Sequence, residues 1–422
     1  MDTTLEDKYA NILSADLSDK LQIVNSKGES RNKVHEFPHD ADILDIISHF
    51  LAVKSSDDPF YIVDLYEVYK KYNDWITLLP RVHPFYAIKS NPDAVILNVL
   101  SKLECGADCA SKSEIILAKS AGIPDDKIIY ANPCKNIESL QYARSEDVDY
   151  LTFDCKNELD KIKVFHSDAK CIIRIKVDDS GSVCKFSSKF GCTLDEAREL
   201  LELAKVDELN IVGVSFHQGS NCKVLGQFDK AIKDARAIFE IAKEYGFSFN
   251  IIDLGGGYCG TDDGEVTFPM LAEEINTALD KYFADIDGLK VIAEPGRYLS
   301  ASSHTLVVTV IGIKSRKNAE TGEQEYIYTI DDTVYGSFNC TIFDFAVPQI
   351  LPYNERTEKT YKSILVGTTC DSQDIITKSP IDLPRLIYGD KLYIRNFGAY
   401  TVASSSSFNG FKTSILHYIT RV

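Results

Sequence analysis

Between residues 83 and 300 one unit recurs: a short apolar strand, a turn, and an amphipathic helix. The strands are expected at 84–89, 104–111, 127–132, 150–154, 171–177, 211–219, 249–257 and 291–298. Helical segments separate them, among them 111–121, 194–204 and 226–245. In the last of these Phe228, Ala231, Ala235, Phe239 and Ala242 recur at helical spacing. Eight such units predict an α/β architecture built on a closed (β/α)8 TIM-type barrel, with a doubly wound open sheet as the alternative. A strand-like run at 60–65 and a helix to about Leu79 precede the first barrel strand. After residue 300 the pattern changes. Segments 305–315, 325–331, 362–367, 391–396 and 412–420 are rich in Val, Ile, Tyr and Thr and are separated by turn formers. The expected division is a barrel over 40–300, with 1–39 and 301–422 forming an all-β domain.

Composition narrows the classes of function. The 422 residues exceed one ordinary core, and 44% hydrophobic with 26% charged residues is a soluble balance. A formal charge of -17 argues against nucleic acid as a partner and mildly favours a cationic small molecule. The apolar runs are far shorter than a bilayer span, so no membrane segment is expected. The opening residues Met1–Asp7 carry neither a basic nor an apolar export region. The 11 cysteines are odd in number and lack a framework spacing, which points to free thiols in a reducing, cytoplasmic compartment. Cys105 and Cys109 do not have zinc spacing, and no metal is expected.

In a barrel, chemistry belongs at the C-terminal strand ends. The polar residues there are Lys89, Asp108, Asn132, Asp154, Arg174, His217, Gly255-Gly256-Gly257 and Glu294. Lys89 ends an apolar run, where a partly desolvated amine can attack a carbonyl; taken alone, a lysine that only snorkels to solvent is the commoner case. The triple glycine after strand seven lets backbone N–H groups approach an anion, or simply makes a tight turn. Glu294-Pro295-Gly296-Arg297 on strand eight offers a forked phosphate donor and a carboxylate in an apolar mouth. That carboxylate could face a protonated ring nitrogen or pair with Arg297. His217 could stack on a planar cofactor or be an ordinary core histidine, and Ser220 could donate to phosphate or cap a turn. In the β domain, Asp344 in Phe343-Asp344-Phe345 and the Cys370-Asp371 turn are acidic groups suited to an ammonium, or plain surface carboxylates.

Together these residues resemble the barrel-type pyridoxal-phosphate enzymes, a group that includes alanine racemase and the basic amino-acid decarboxylases. The resemblance is sharpest to the eukaryotic ornithine decarboxylases. It is carried by 84–89, 108–114, 128–135, 216–220, 294–298, 335–339, 369–371 and 398–401, in order along the chain. It implies an alanine racemase-like fold, pyridoxal 5'-phosphate as cofactor, and decarboxylation of L-ornithine to putrescine, the first step of polyamine synthesis. Lys89 would be the Schiff-base lysine, Glu294 the partner of the ring nitrogen, and His217 the stacking ring. Ser220, Gly255, Gly256, Gly257, Gly296, Arg297 and Tyr400 would hold the phosphate, and Asp108 and Arg174 the aldehyde side. Cys370 would donate the product proton, while Asp344, Asp371 and the adjoining Phe343 would line the substrate pocket. Phe343 stands where this family often has tyrosine. A homodimer sharing its active sites is implied, with Lys189 and Asp374 as an interface pair, and the family admits an antizyme-like regulator. The alternatives are a lysine or arginine decarboxylase and a non-catalytic protein like antizyme inhibitor.

Overall fold

The computed structural model describes Tyr9 and residues 34–53, 57–318, 321–354, 356 and 359–422. The chain divides into two compact units, with the boundary between Glu67 and Val68 inside the helix Leu65–Leu78 and again between Leu299 and Ser300.

The first unit contains the closed barrel. Its strands in chain order are Val82–Ala87, Gly106–Cys109, Ile128–Tyr130, Tyr150–Phe153, Lys170–Arg174, Asn210–Ser215, Ile251–Asp253 and Lys290–Ala293. All pair in parallel with their neighbours, and the eighth closes on the first through Val291↔Val82 and Ala293↔Pro84. Side chains alternate along a strand, so one parity faces the interior. Phe85, Ile129, Ile172, Ile251 and Ile292 form one apolar cluster on that parity. The next inward positions are therefore Ala87, Ala131, Arg174, Asp253 and Glu294. The apolar plug thus gives way to polar groups at the C-terminal mouth. Outside the barrel, the buried Trp75 donates from Nε1 to the Val82 carbonyl at 2.8 Å and packs on Tyr258 and Phe268.

Between strands three and four the barrel wall contains a buried ion pair. Lys135 Nζ lies 3.0 Å from Glu158 Oε1 and donates to the carbonyls of Asn132 and Thr152 at 3.0 and 2.6 Å. Glu158 also accepts from the Lys135 backbone N–H and from Lys161 Nζ at 2.6 Å. Both charges are fully satisfied, which is the condition for tolerating them inside.

The second unit is built on a nine-stranded sheet. The path runs Val34–Phe37, Ile415–Arg421, Phe60–Asp64, His304–Lys317, Gln324–Ile330, Thr360–Val366 and Ile381–Pro384, with Lys391–Ile394 on His304–Lys317 and Ile350–Pro352 beyond it. The structure moves the expected domain boundary. Residues 40–53 and 57–67 belong to this unit, not to the barrel. The strand Phe60–Asp64 is bonded on both sides within the sheet, and the helix Ile43–Val53 buries Ile46, Ile47 and Phe50 against Phe60, Ile62, Val307 and Ile419. Tyr9 packs instead in the first unit, its ring 4.3 Å from that of Tyr69; the rest of 1–33 lies outside the described residues. No helix among the described residues is long and apolar enough to cross a membrane.

Removing the Glu158 carboxylate leaves the Lys135 ammonium buried without a counter-charge. Glu158→Ala should lower unfolding free energy by about 3–5 kcal/mol, measured by urea denaturation.

Candidate active site

The first barrel strand stops at Ala87, and Lys89 sits in the single 3₁₀ turn Ile88–Ser90 beyond it. Ser90 Oγ donates to the Ala87 carbonyl at 2.9 Å and fixes the turn. Lys89 Nζ forms an ion pair with Asp108, which stands opposite Ala87 on the second strand. The lysine side chain is 34% exposed, whereas Asp108 is buried. The partly desolvated amine expected at the strand end is therefore paired with a carboxylate, on a side chain that is still partly exposed. Arg174 ends the fifth strand with its guanidinium 4.9 Å from the Phe190 ring centre.

Glu294 follows the eighth strand and is buried. Burial first, then the negative charges of Asp108 and Asp253, push its carboxyl well above the ordinary range, while Lys89 and Arg174 oppose the shift. Burial also drives the Asp253 carboxyl up to about 7. His217 is held well below its ordinary range by burial and then by the cations Arg174 and Lys89, so the imidazole is neutral. Its Nδ1 accepts the Gly219 N–H at 3.1 Å, which leaves Nε2 as the protonated nitrogen.

The anion-binding side is assembled from three loops. Ser220 lies on the short strand Ser220–Cys222, paired antiparallel with Ser182–Cys184. Arg297 reaches its hydroxyl, with Nη2 at 2.9 Å and Nε at 3.3 Å. Gly255 and Gly257 have φ of +59° and +130°, and a Cβ on Gly256 would lie 2.7 Å from His217 Nε2. The Gly256 and Gly257 N–H groups make no hydrogen bond among the described residues. Gly296 packs so closely that a Cβ would sit 2.9 Å from Ser90 Cβ, which brings the eighth-strand loop onto the lysine turn.

The barrel thus brings together Lys89, Asp108, Arg174, His217, Ser220, Gly255, Gly256, Gly257, Glu294, Gly296 and Arg297. Asn132 and Asp154 brace loops instead: Asn132 Nδ2 donates to the Ala110 carbonyl at 3.3 Å, and Asp154 Oδ2 accepts the Gly191 N–H at 2.9 Å. Sequence reasoning missed two carboxyls. Asp253 is buried on the seventh strand, and Glu114 accepts the Ala110 N–H at 2.5 Å, two residues beyond Asp108. The available signal for Asp253 was a lone carboxylate inside Ile251-Ile252-Asp253-Leu254.

Phe343, Asp344, Cys370, Asp371 and Tyr400 all lie in the second unit. Tyr400 has φ of +56°. Cys370 is exposed, and its N–H donates to Asn409 Oδ1 at 3.1 Å. Asp371 accepts the Tyr335 hydroxyl and the Gln373 N–H; the latter, then the former, lowers its carboxyl below the ordinary range. Asp374 was expected to meet Lys189 at an interface. It is buried, and its carboxylate accepts Val334 N–H at 2.9 Å, Thr369 N–H at 3.1 Å and Thr369 Oγ1 at 2.6 Å. It shapes the turn that presents Cys370 and Asp371. Lys189 lies in the first unit, its ammonium 4.8 Å from the Phe190 ring.

Residues 65–301 match the pyridoxal binding domain of the pyridoxal-dependent decarboxylases. The chain is 43% identical over 388 residues to ornithine decarboxylase of Mus musculus, covering 90% of this chain and 84% of that one. It is 41% identical over 385 residues to antizyme inhibitor 2 of Xenopus laevis, covering 89% and 84%. The arginine decarboxylase of Paramecium bursaria Chlorella virus, solved bound to agmatine, superposes with a TM-score of 0.85 at 35% identity, covering 89% of this chain and 100% of that one. The barrel-mouth groups fit pyridoxal phosphate. Arg297, Ser220 and the two unbonded glycine N–H groups are phosphate donors, Glu294 is a buried carboxyl for a ring nitrogen, and Lys89 is an accessible amine.

Arg297→Ala should weaken pyridoxal phosphate binding by at least about tenfold through loss of a charge-assisted donor. Fluorescence titration of the cofactor-free protein measures it.

Proposed function

This chain belongs to the pyridoxal-dependent decarboxylase family, and we propose that its substrate is L-ornithine, converted to putrescine and carbon dioxide. The observation that carries this reading is the convergence of Lys89, Asp108, Glu294, Ser220 and Arg297 on one barrel mouth. Pyridoxal phosphate, when bound, supplies the electron sink for the charge left by departing carbon dioxide. Lys89 offers the amine that attaches it, and Asp108 orients that amine. Glu294 stabilises a protonated ring nitrogen, and the neutral His217 ring supports a flat face without adding charge. Arg297, Ser220, Gly256 and Gly257 anchor the phosphate.

Asp344 and Asp371 would grip the distal ammonium. The depressed carboxyl of Asp371 keeps it anionic at neutral pH. Cys370 would deliver the proton to the α-carbon. We assign Cys370 and Asp371 to the mouth of a second copy of the chain. Phe343, Phe345 and Val347 are 72%, 62% and 93% exposed in the single chain, an apolar patch around Asp344 that a homodimer would cover. The rivals that act on lysine or arginine are distinguished by substrate preference, and we read aspartate rather than the longer glutamate at position 344 as this family's mark of an ornithine-length chain. A cytoplasmic location and an antizyme-like regulator belong to the same proposal. The second reading, a non-catalytic protein, is favoured by the antizyme inhibitor relative and opposed by the complete set of cofactor groups.

Purified protein should release carbon dioxide from L-ornithine faster than from lysine or arginine, and Lys89→Ala should abolish it. No release from any of the three would establish the non-catalytic reading. Cys370→Ala should lower product formation by about 10²–10⁴-fold. Mixing Lys89→Ala and Cys370→Ala subunits should restore about a quarter of wild-type activity, because half the dimers then hold one complete site; no restoration would exclude shared sites.

A further inference from the structure

Asp253 has no role in the reading above, yet it lies on the inward face of the seventh strand, one barrel layer above Ile251. Its side chain is wholly buried. Oδ1 accepts the Gly255 N–H at 2.9 Å, while Oδ2 is buried and meets no hydrogen-bond partner among the described residues. Its opposite number on the eighth strand is Ile292, two residues before Glu294 on the same face. The Glu294 N–H donates to the Gly255 carbonyl at 2.7 Å. The Gly255 N–H is therefore held by the Asp253 carboxylate and the Gly255 carbonyl by the Glu294 backbone, and by strand alternation both side chains fall on the inward parity.

Charge balance at this layer is unequal. Three carboxyls, those of Asp108, Asp253 and Glu294, share the mouth with two fixed cations, Lys89 and Arg174; His217 is neutral, and Tyr258 on the following loop keeps its phenol proton. Lys89 is engaged with Asp108. An ionised Oδ2 on Asp253 would be a buried charge facing a second carboxylate, the costliest arrangement available to it. One proton on the pair restores neutrality.

We propose that Asp253 is a positioning residue for Glu294: the two carboxyls share one proton across Asp253 Oδ2, so that the pair carries a single negative charge. The Glu294 carboxylate is then fixed in orientation before any ligand arrives. Burial pushes Glu294 well above the ordinary carboxyl range and Asp253 up to about 7, which agrees with one proton retained on the pair near neutral pH. The inference rests on the cofactor reading only for what Glu294 faces; the shared proton is a property of the chain itself.

Infrared difference spectroscopy of the cofactor-free protein tests it directly. The wild type should show a protonated-carboxyl carbonyl band that shifts in deuterium oxide, titrates near neutral pH and is missing from Asp253→Asn. Asparagine keeps the Gly255 bond and carries a permanent donor. Asp253→Asn should therefore bind pyridoxal phosphate within about threefold of wild type but lose the wild-type inflection of affinity near neutral pH, whereas Asp253→Val, with no donor, should weaken binding at least about tenfold. Circular dichroism confirms that each variant is folded, and the wild-type band needs no variant. Absence of that band, its persistence in Asp253→Asn, or equal weakening by asparagine and valine would overturn the proposal. Arg297→Ala separates the two readings: if it binds cofactor like wild type, the cofactor site itself is misplaced, and the infrared band still decides the role of Asp253.

Discussion

The barrel mouth depends on an imbalance of buried charge. Three buried carboxyls face two partly exposed cations, so each carboxyl must be neutralised by a partner, a proton or a ligand. Asp108 takes Lys89, which orients the amine. Glu294 is left beside Asp253, and burial drives both toward their protonated forms. A cationic ring nitrogen relieves that strain where a neutral one would not. The preference for a pyridine-bearing cofactor is therefore written into the carboxyls before the phosphate donors are considered.

Much of this was legible in the chain because strand period and barrel geometry are strict. Eight apolar runs predicted eight strands, and each observed strand falls within or beside its predicted segment. Much of the mouth followed from position: once Arg174 and Glu294 are placed at strand ends, alternation decides which way they point, whereas Lys89 lies past its strand in a 3₁₀ turn. What was missed has physical reasons. Phe60–Asp64 reads like a barrel strand because both kinds are buried on two faces, and only its pairing with His304–Val307 and Ile415–Ile419 assigns it to the sheet. Val34–Phe37, Ile350–Pro352 and Ile381–Pro384 are three or four residues long, with prolines or charges that blur the pattern. Asp253 stayed hidden because a carboxylate inside an apolar run has no partner visible in the sequence.

The second unit shows a different economy of polar groups. Asp374 is buried and its carboxylate is held by the Val334 N–H and by both the N–H and the hydroxyl of Thr369, and a Cβ on the neighbouring Gly367 would collide with it. Its work is to hold Thr369 so that Cys370 and Asp371 project outward. Tyr335, stacked on Phe408 at 4.3 Å, steadies Asp371 from the other side. The exposed thiol and the half-buried carboxylate are thus carried on a braced turn.

The closure of the barrel has a further consequence. Its eighth strand pairs with its first, and Gly296 packs on Ala87 and Ser90 across that seam. Lys89 stands on one side of the seam, while Glu294 and Arg297 stand on the other. More than two hundred residues of chain separate them, so the cofactor-holding groups meet only after every intervening strand has taken its place. A partly synthesised or misregistered barrel has the lysine but nothing to anchor what the lysine would hold. Cofactor retention is then a proof-reading step for folding: it is possible only in molecules whose ring is complete, and by binding those alone it draws the population toward them.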